Sequence, residues 1–293
     1  MLEGSRIALT GATGRLGQAM ASALLATGAH VTAIVRTERA MDPRLAAAVA
    51  ALTDGAALEA ALEGHEQLVV ILPDAPELPD MMANLVSAAE AVGIKRIVKI
   101  SAHLAGENPP ESFGIEHSAA DALTKASAIE SIIYRPAMFM QSLSLFLSDW
   151  EKDRMLVPVS TGKVALIDAG DIAAAVVKAL EGEVPPGTYT LTGPESVSFS
   201  EITAALSAWS GKTIKHVAPP LFVAGLAMRF DKTLDGFNRN RLLAFLKALE
   251  AGKEAPVLPD LEGILGRPGI ALKDRLAQCP PSDGKPPQWS SSA

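Results

Sequence analysis

Short apolar runs alternate with amphipathic stretches through the first half of the chain. Ile7-Ala8-Leu9-Thr10 leads into a glycine-rich turn, and the stretch beyond it places Leu16, Met20, Ala23 and Leu24 on one face of a helix. Residues 31–35, 68–72, 97–100 and 132–134 are further runs of strand length, and residues 56–62, 81–92 and 118–126 between them carry helical spacing. Parallel neighbours in a sheet need crossover connections, so this alternation predicts an α/β fold with a parallel sheet covered by helices on both faces. Residues 45–52 are rich in Ala, and their pattern fits a helix as well as the third strand that the rhythm expects.

After Leu147 the rhythm changes, with Pro158, Gly162, Gly170, Pro185, Pro186, Gly187, Gly193 and Pro194 punctuating shorter elements. Residues 172–180 read as another covering helix, 189–192 as a strand, and 200–209 as a helix opened by Ser198 and Ser200. Residues 221–249 are helical in character, with a break near Asp235-Gly236. Asp168 and Asp171 bracket the start of the helix at Ile172, with Asp171 the expected cap, and Asp54 is expected to cap the helix from Gly55. The division expected is residues 1–155 with 164–192 added to them, a smaller and mostly helical unit over 193–279, and a tail over 280–293. That tail is rich in Pro and Ser and has too little apolar surface to pack a core.

Composition narrows the function classes. Of the 293 residues 48% are hydrophobic but only 4% aromatic, which favours a large aliphatic core and excludes a disordered chain. Lys and Arg total 26 against 33 Asp and Glu, a net charge of -7 with no dense basic run, which argues against nucleic acid as a partner. Cys279 is the single cysteine, and His30, His65, His103, His117 and His216 are scattered, so neither a disulfide nor a metal site is expected. The first residues lack the basic-then-apolar order of a signal peptide, and no run is apolar enough to cross a bilayer. A cytoplasmic enzyme or regulator is the expectation, and a homo-oligomer is compatible with it.

Gly11-Ala12-Thr13-Gly14-Arg15-Leu16-Gly17 spaces its glycines as G-x-x-G-x-x-G between the first strand and the first helix. Glycine there allows a tight turn, close approach of backbone to a pyrophosphate and close packing of helix on strand, while the free N–H groups opening the helix face the phosphate charge. A dinucleotide is expected, with Gly11, Thr13, Gly14, Arg15, Leu16 and Gly17 around its phosphates. The second strand ends in Val35-Arg36, with Arg39 close behind, where an acidic residue would hold a ribose 2'-hydroxyl and a basic one a 2'-phosphate. These arginines favour NADP(H) over NAD(H); the alternative for each is a solvated surface side chain.

Together with Arg135-Pro136-x-x-Phe139, Thr192-Gly193-Pro194-Glu195 and the segment from Asp260 to Pro268, these motifs resemble the NmrA-like, atypical branch of the short-chain dehydrogenase/reductase superfamily, over residues 5 to 277. The resemblance implies a Rossmann-type doubly wound parallel sheet binding NADP(H), with a pocket between the sheet and the C-terminal, mostly helical, substrate-binding unit. It also implies that Leu72 and Pro73 line the nicotinamide ribose, that Ser101 stands at the active-site end of its strand with His103 beside it, and that Met138, Phe139 and Met140 lie near the substrate.

The chain departs from the superfamily in two places. Where a Tyr-x-x-x-Lys pair is usual, it carries Phe113-Gly114-Ile115-Glu116-His117 followed by Asp121. Phenylalanine has no ionisable hydroxyl, so the usual general acid, worth about 10²–10⁴-fold, is missing. His117 and Asp121 are four apart, a spacing at which a carboxylate can orient an imidazole on a helix, either for catalysis or to brace the helix against the cofactor unit. The adenine-side Gly-Asp-Leu is replaced by Ala50-Ala51-Leu52.

The expected function is an oxidoreductase passing hydride from NADPH to an apolar, electron-poor acceptor of the quinone, imine or conjugated-carbonyl class, with Phe113 and residues 138–140 against it. An NADP-sensing regulatory protein without turnover is the alternative, and a cofactor-assisted isomerase or cyclase is a third.

Overall fold

The computed structural model describes every residue except 38–40, 107–112, 233, 282–284 and 288–293. The first half runs β1 (Arg6–Thr10), α1 (Arg15–Ala26), β2 (His30–Val35), β3 (Ala46–Val49), α2 (Gly55–Leu62), β4 (Gln67–Ile71), α3 (Leu78–Val92), β5 (Arg96–Ile100), α4 (Gly114–Ala126) and β6 (Glu130–Pro136). Two 3-10 turns, Met140–Phe146 and Trp150–Lys152, lead to β7 (Arg154–Leu156), β8 (Lys163–Val164), α5 (Ala169–Leu180), β9 (Gly187–Leu191), β10 (Val197–Ser198) and α6 (Phe199–Ser210). The chain ends with β11 (Lys215–Val217), α7 (Leu221–Phe230), α8 (Gly236–Glu250), α9 (Asp260–Leu265) and α10 (Leu272–Ala277).

Seven strands form one sheet in the order β3-β2-β1-β4-β5-β6-β9, every adjacent pair parallel. The order reverses between β1 and β4, the switch point of a Rossmann-type fold. The Ala-rich stretch left open by its periodicity is a strand at the sheet edge: Thr32 to Val35 of β2 pair with Ala46 to Val49. Small residues suffice there because Ala46, Ala47 and Val49 are not covered by a further layer.

Two aliphatic layers cover the sheet. Met20 and Leu24 of α1 and Ile172 and Val176 of α5 pack with Ile7, Leu9 and Val98 on one face, while Leu58 of α2 and Met82 and Leu85 of α3 pack with Leu68, Val70 and Ile97 on the other. A separate core packs Trp150 and Met155 together with Phe199, Leu206, Leu246 and Leu249. The break near Asp235 is real: its side chain accepts from the Asn238 N–H at 2.8 Å and caps α8. Helix α7 contains no buried residue, and Phe222, Leu226 and Phe230 are exposed along it.

The capping expectation for α5 is corrected. Asp168 is the cap, accepting from the Gly170 N–H at 2.8 Å, whereas Asp171 lies one turn in and is wholly buried. Asp171 is held by the terminal segment, through Arg267 Nη2 at 2.7 Å and the Ile270 N–H at 2.6 Å. Asp168 also accepts from Gln141 Nε2 at 2.8 Å and faces Arg275 Nε at 3.2 Å, so the end of the chain straps the head of α5 through two buried carboxylates. Asp260 adds a third tie, accepting from the Thr190 N–H of β9 at 2.8 Å. Among the described residues no helix is long and apolar enough to cross a membrane.

Candidate active site

The strands run parallel, so their carboxyl ends meet along one edge of the sheet, where the reversal between β1 and β4 opens a crevice. Thr10 latches that edge: its hydroxyl donates to the Ile71 carbonyl and accepts from the Ile71 N–H, each at 2.9 Å. Gly11 turns with φ +68, and a Cβ on Gly17 would stand 2.0 Å from the Gly11 oxygen, so the protein's own packing requires both glycines. Gly14 differs. It is exposed at the head of α1, gives no side-chain cap, and a Cβ there would meet only the Gly11 oxygen, at 3.5 Å.

What glycine at 14 keeps clear is the approach to the first N–H groups of α1, whose first turn holds no acidic residue. That donor set fits a pyrophosphate. Arg15 and Arg36 are exposed at the same edge of the sheet, and neither has a partner among the described residues. Arg39 lies outside the described residues. Leu72 is buried and Pro73 exposed just past β4. After β3, the Leu52 carbonyl accepts from Asn84 Nδ2 at 3.1 Å, and Asp54 caps α2 by accepting from the Ala57 N–H at 3.1 Å.

The expected pairing of His117 with Asp121 does not form. Asp121 is 1% exposed and is taken by two cations: Oδ1 accepts from Lys99 Nζ at 2.7 Å, and Oδ2 accepts from Arg135 Nε at 2.9 Å, with Arg135 Nη2 at 2.8 Å. Burial alone would push the Asp121 carboxyl up, but Lys99, Ser101 and Arg135 outweigh it and hold the carboxyl below its ordinary value. Ser101 is itself buried, its hydroxyl beside the Asp121 carboxylate but off the line of a straight hydrogen bond to it. His117 instead turns its Nε2 to Asp74 Oδ1, 3.2 Å away in the loop after β4, which ties α4 to the cofactor edge.

Neither tyrosine of the sequence is free to act as an acid. Tyr134 is wholly buried in β6 and donates to the Ala175 carbonyl at 2.9 Å, burial pushing its phenol far up, and Tyr189 donates to the Pro185 carbonyl at 2.9 Å. Phe113 is half-buried at the head of α4. Met138 and Met140 are buried in the separate core with Trp150 and Phe199, and Phe139 is half-buried against the sheet's own core. Side chains of 138 and 140 therefore back the crevice rather than stand open in it.

Two residues without a sequence signal of their own also reach this edge. Glu254, 1% exposed in the loop after α8, accepts from the Met138 N–H at 3.1 Å and places its other oxygen 3.0 Å from His103 Nδ1. Glu116, on α4 beside His117, pairs with Arg241 of α8. Lys99 did carry a signal, a charge inside an otherwise apolar strand. Among the described residues no three His, Cys, Asp or Glu side chains cluster to hold a metal ion.

A family model described as NAD(P)H-binding matches residues 11–183. The chain is 32% identical over 231 residues to the NAD(P)H azoreductase of Xenophilus azovorans, covering 76% of this chain and 80% of that protein. It is 28% identical over 228 residues to quinone oxidoreductase 2 of Escherichia coli (strain K12), covering 72% and 76%. The structure of Citrobacter sp. triphenylmethane reductase complexed with NADP(H) has the same fold, with a TM-score of 0.77 at 23% identity over 93% of this chain and 99% of that one.

Proposed function

The chain belongs to the NAD(P)H-binding family, in line with the NmrA-like resemblance of its motifs, and is an NAD(P)H-dependent oxidoreductase; from that premise we propose that it uses NADPH to reduce apolar, electron-poor acceptors of the azo, quinone and imine classes. The observation that carries this reading is an open phosphate cradle beside an edge that has no free phenol. Acceptors whose hydride adduct is already a stabilised anion can be reduced with a donor other than a phenol, which suits such a site. The azoreductase and quinone oxidoreductase relatives support the same substrate classes.

In this reading NADPH supplies the hydride, and the protein binds and orients. Backbone N–H groups of Arg15, Leu16 and Gly17, with Thr13 and Gly14 beside them, hold the pyrophosphate, and the guanidinium of Arg36, aided by Arg15, takes the 2'-phosphate. Leu72 and Pro73 border the nicotinamide ribose. The Ser101 hydroxyl, buried beside the Asp121 carboxylate, can turn to hydrogen-bond the acceptor, while Phe113 and Phe139 form its apolar wall, backed by Met138 and Met140. His117, held on Asp74, braces α4 rather than carrying the chemistry.

The test is NADPH consumption, followed by its near-ultraviolet absorbance, with an azo dye, a quinone and a cyclic imine. Turnover with at least one acceptor is expected. Saturable NADPH binding with no acceptor-dependent consumption would instead establish a sensor of the cofactor.

A further inference from the structure

Resting on the reductase reading above, we propose that Glu254 and His103 form a carboxylate–imidazole pair in which His103 donates the proton that accompanies each hydride and Glu254 is its positioning residue. His103 lies three residues past β5, its backbone N–H donating to the Pro136 carbonyl at 3.1 Å, so it sits between the ends of β5 and β6. Its Nδ1 is buried and stands 3.0 Å from Glu254 Oε1, an ion-pair distance, with the ring turned too far off the line for a hydrogen bond between them. Its Nε2 is not buried and has no partner among the described residues, so the ring's 10% exposure leaves that nitrogen open at the edge where the acceptor would stand.

Glu254 is the more telling member. A carboxylate with 1% exposure is costly unless its charge is met. The Met138 N–H satisfies one oxygen but brings no charge, and among the described residues no lysine or arginine pairs with Glu254; His103 is the only ionisable partner it has. A carboxylate charge 3.0 Å from Nδ1 favours a proton on that nitrogen, so that a second proton, on Nε2, is the one presented outward.

The step balances. The acceptor takes a hydride from the cofactor at one atom of its double bond, the π pair moves to the other atom, and the N–H of His103 Nε2 breaks as that atom is protonated. The cofactor leaves oxidised, the acceptor has gained two hydrogens, and the neutral imidazole recovers its proton from water.

The experiment uses Glu254→Gln, Glu254→Asp and His103→Gln. Glutamine can still accept from the Met138 N–H, but its amide would donate to Nδ1, reversing the polarity of the ring. Nitrogen-15 NMR of the cofactor-free protein, with the His103 signal identified by its loss in His103→Gln, should show Nδ1 protonated in the unsubstituted chain and Nδ1 bare, with the proton on Nε2, in Glu254→Gln. Turnover supplies a second readout. A cationic triphenylmethane dye accepts hydride at a carbocation and needs no proton, whereas an azo dye or quinone does. The ratio of azo or quinone to cationic-dye turnover should fall by about 10²-fold in His103→Gln and by at least about tenfold in Glu254→Gln, the lower range for loss of a general acid. Glu254→Asp should recover part of it.

An unchanged ring tautomer in Glu254→Gln, or a ratio that stays constant because both acceptors slow together, would overturn the pair. If Glu254→Gln does not fold, the ratio in His103→Gln decides. If the unsubstituted chain oxidises NADPH with none of these acceptors, the reductase reading fails, and the NMR result still decides whether Glu254 sets the ring.

Discussion

Replacing Gly14 and Gly17 one at a time by alanine separates the two demands made on the first turn. A methyl on Gly17 would lie 2.0 Å from the Gly11 oxygen, far inside the 3.4–4 Å of ordinary contact, and the clash is with backbone that cannot swing aside. Helix α1 must retreat from the turn, and overpacking of that kind costs about 1–3 kcal/mol or more. A chain of this size loses about 2–4 °C of Tm per kcal/mol, so Gly17→Ala should melt at least about 2 °C lower without cofactor. Gly14→Ala meets only one atom, at 3.5 Å, and loses a cap preference worth less than about 1 kcal/mol. Its methyl instead occupies the approach to the first N–H groups of α1. Displacing one charge-assisted hydrogen bond to phosphate costs about 1.5–3 kcal/mol, so NADPH should bind about 10- to 150-fold more weakly. Thermal melting of the cofactor-free variants and calorimetric titration with NADPH measure both effects. The reasoning fails if Gly14→Ala destabilises the cofactor-free protein as much as Gly17→Ala does, or if it leaves NADPH affinity unchanged.

Three further outcomes are expected. Arg36→Asp should weaken NADPH by about tenfold or more, the worth of one charged hydrogen bond, with little effect on NADH; equal losses for both coenzymes in fluorescence titration would remove the 2'-phosphate role. Asp121→Asn leaves Lys99 and Arg135 facing a neutral amide and should cost about 3–5 kcal/mol in urea denaturation at neutral pH, the cost of breaking a buried pair. Because the folded Asp121 carboxyl lies below its ordinary value, its contribution is complete above an unfolded pKa of about 4 and is lost as pH falls through the folded value. The stability of Asp121→Asn should therefore fall less steeply than that of the parent below about pH 4. Arg267→Ala strands the buried Asp171 charge and should cost about 3 kcal/mol or more, moderated by the exposure of Arg267 itself; a loss within about 0.5 kcal/mol would show the strap to be dispensable.

Much of this architecture is legible in the sequence because the sheet is parallel and buried: strands covered on both faces must be apolar runs, and crossovers must be helices. The same logic fails at β3, which lies at the sheet edge and can be built from alanine, a residue equally at home in a helix. At the site, the glycine spacing and Arg36 can be read because backbone approach and phosphate charge restrict the residue type. Charge pairing cannot be read in that way. His117 and Asp121 satisfy the helical spacing rule, yet the carboxylate turns inward to Lys99 and Arg135, partners on two neighbouring strands that only the sheet register brings together. Asp171 was mistaken for a cap because a buried aspartate and a capping one look alike until the partner 96 residues further on is seen. Glu254 was invisible for a related reason: its contacts lie on loops that follow β5 and β6, far back along the chain.

That long reach between Asp171 and Arg267 bears on how the molecule is made. During synthesis the sheet and α5 emerge first, carrying two carboxylates destined for the interior whose arginines are still inside the ribosome. Until residues 267 and 275 arrive, those acids can remain in water only if the head of α5 stays ajar, so the dinucleotide-binding half can shut only after residue 275 has been made.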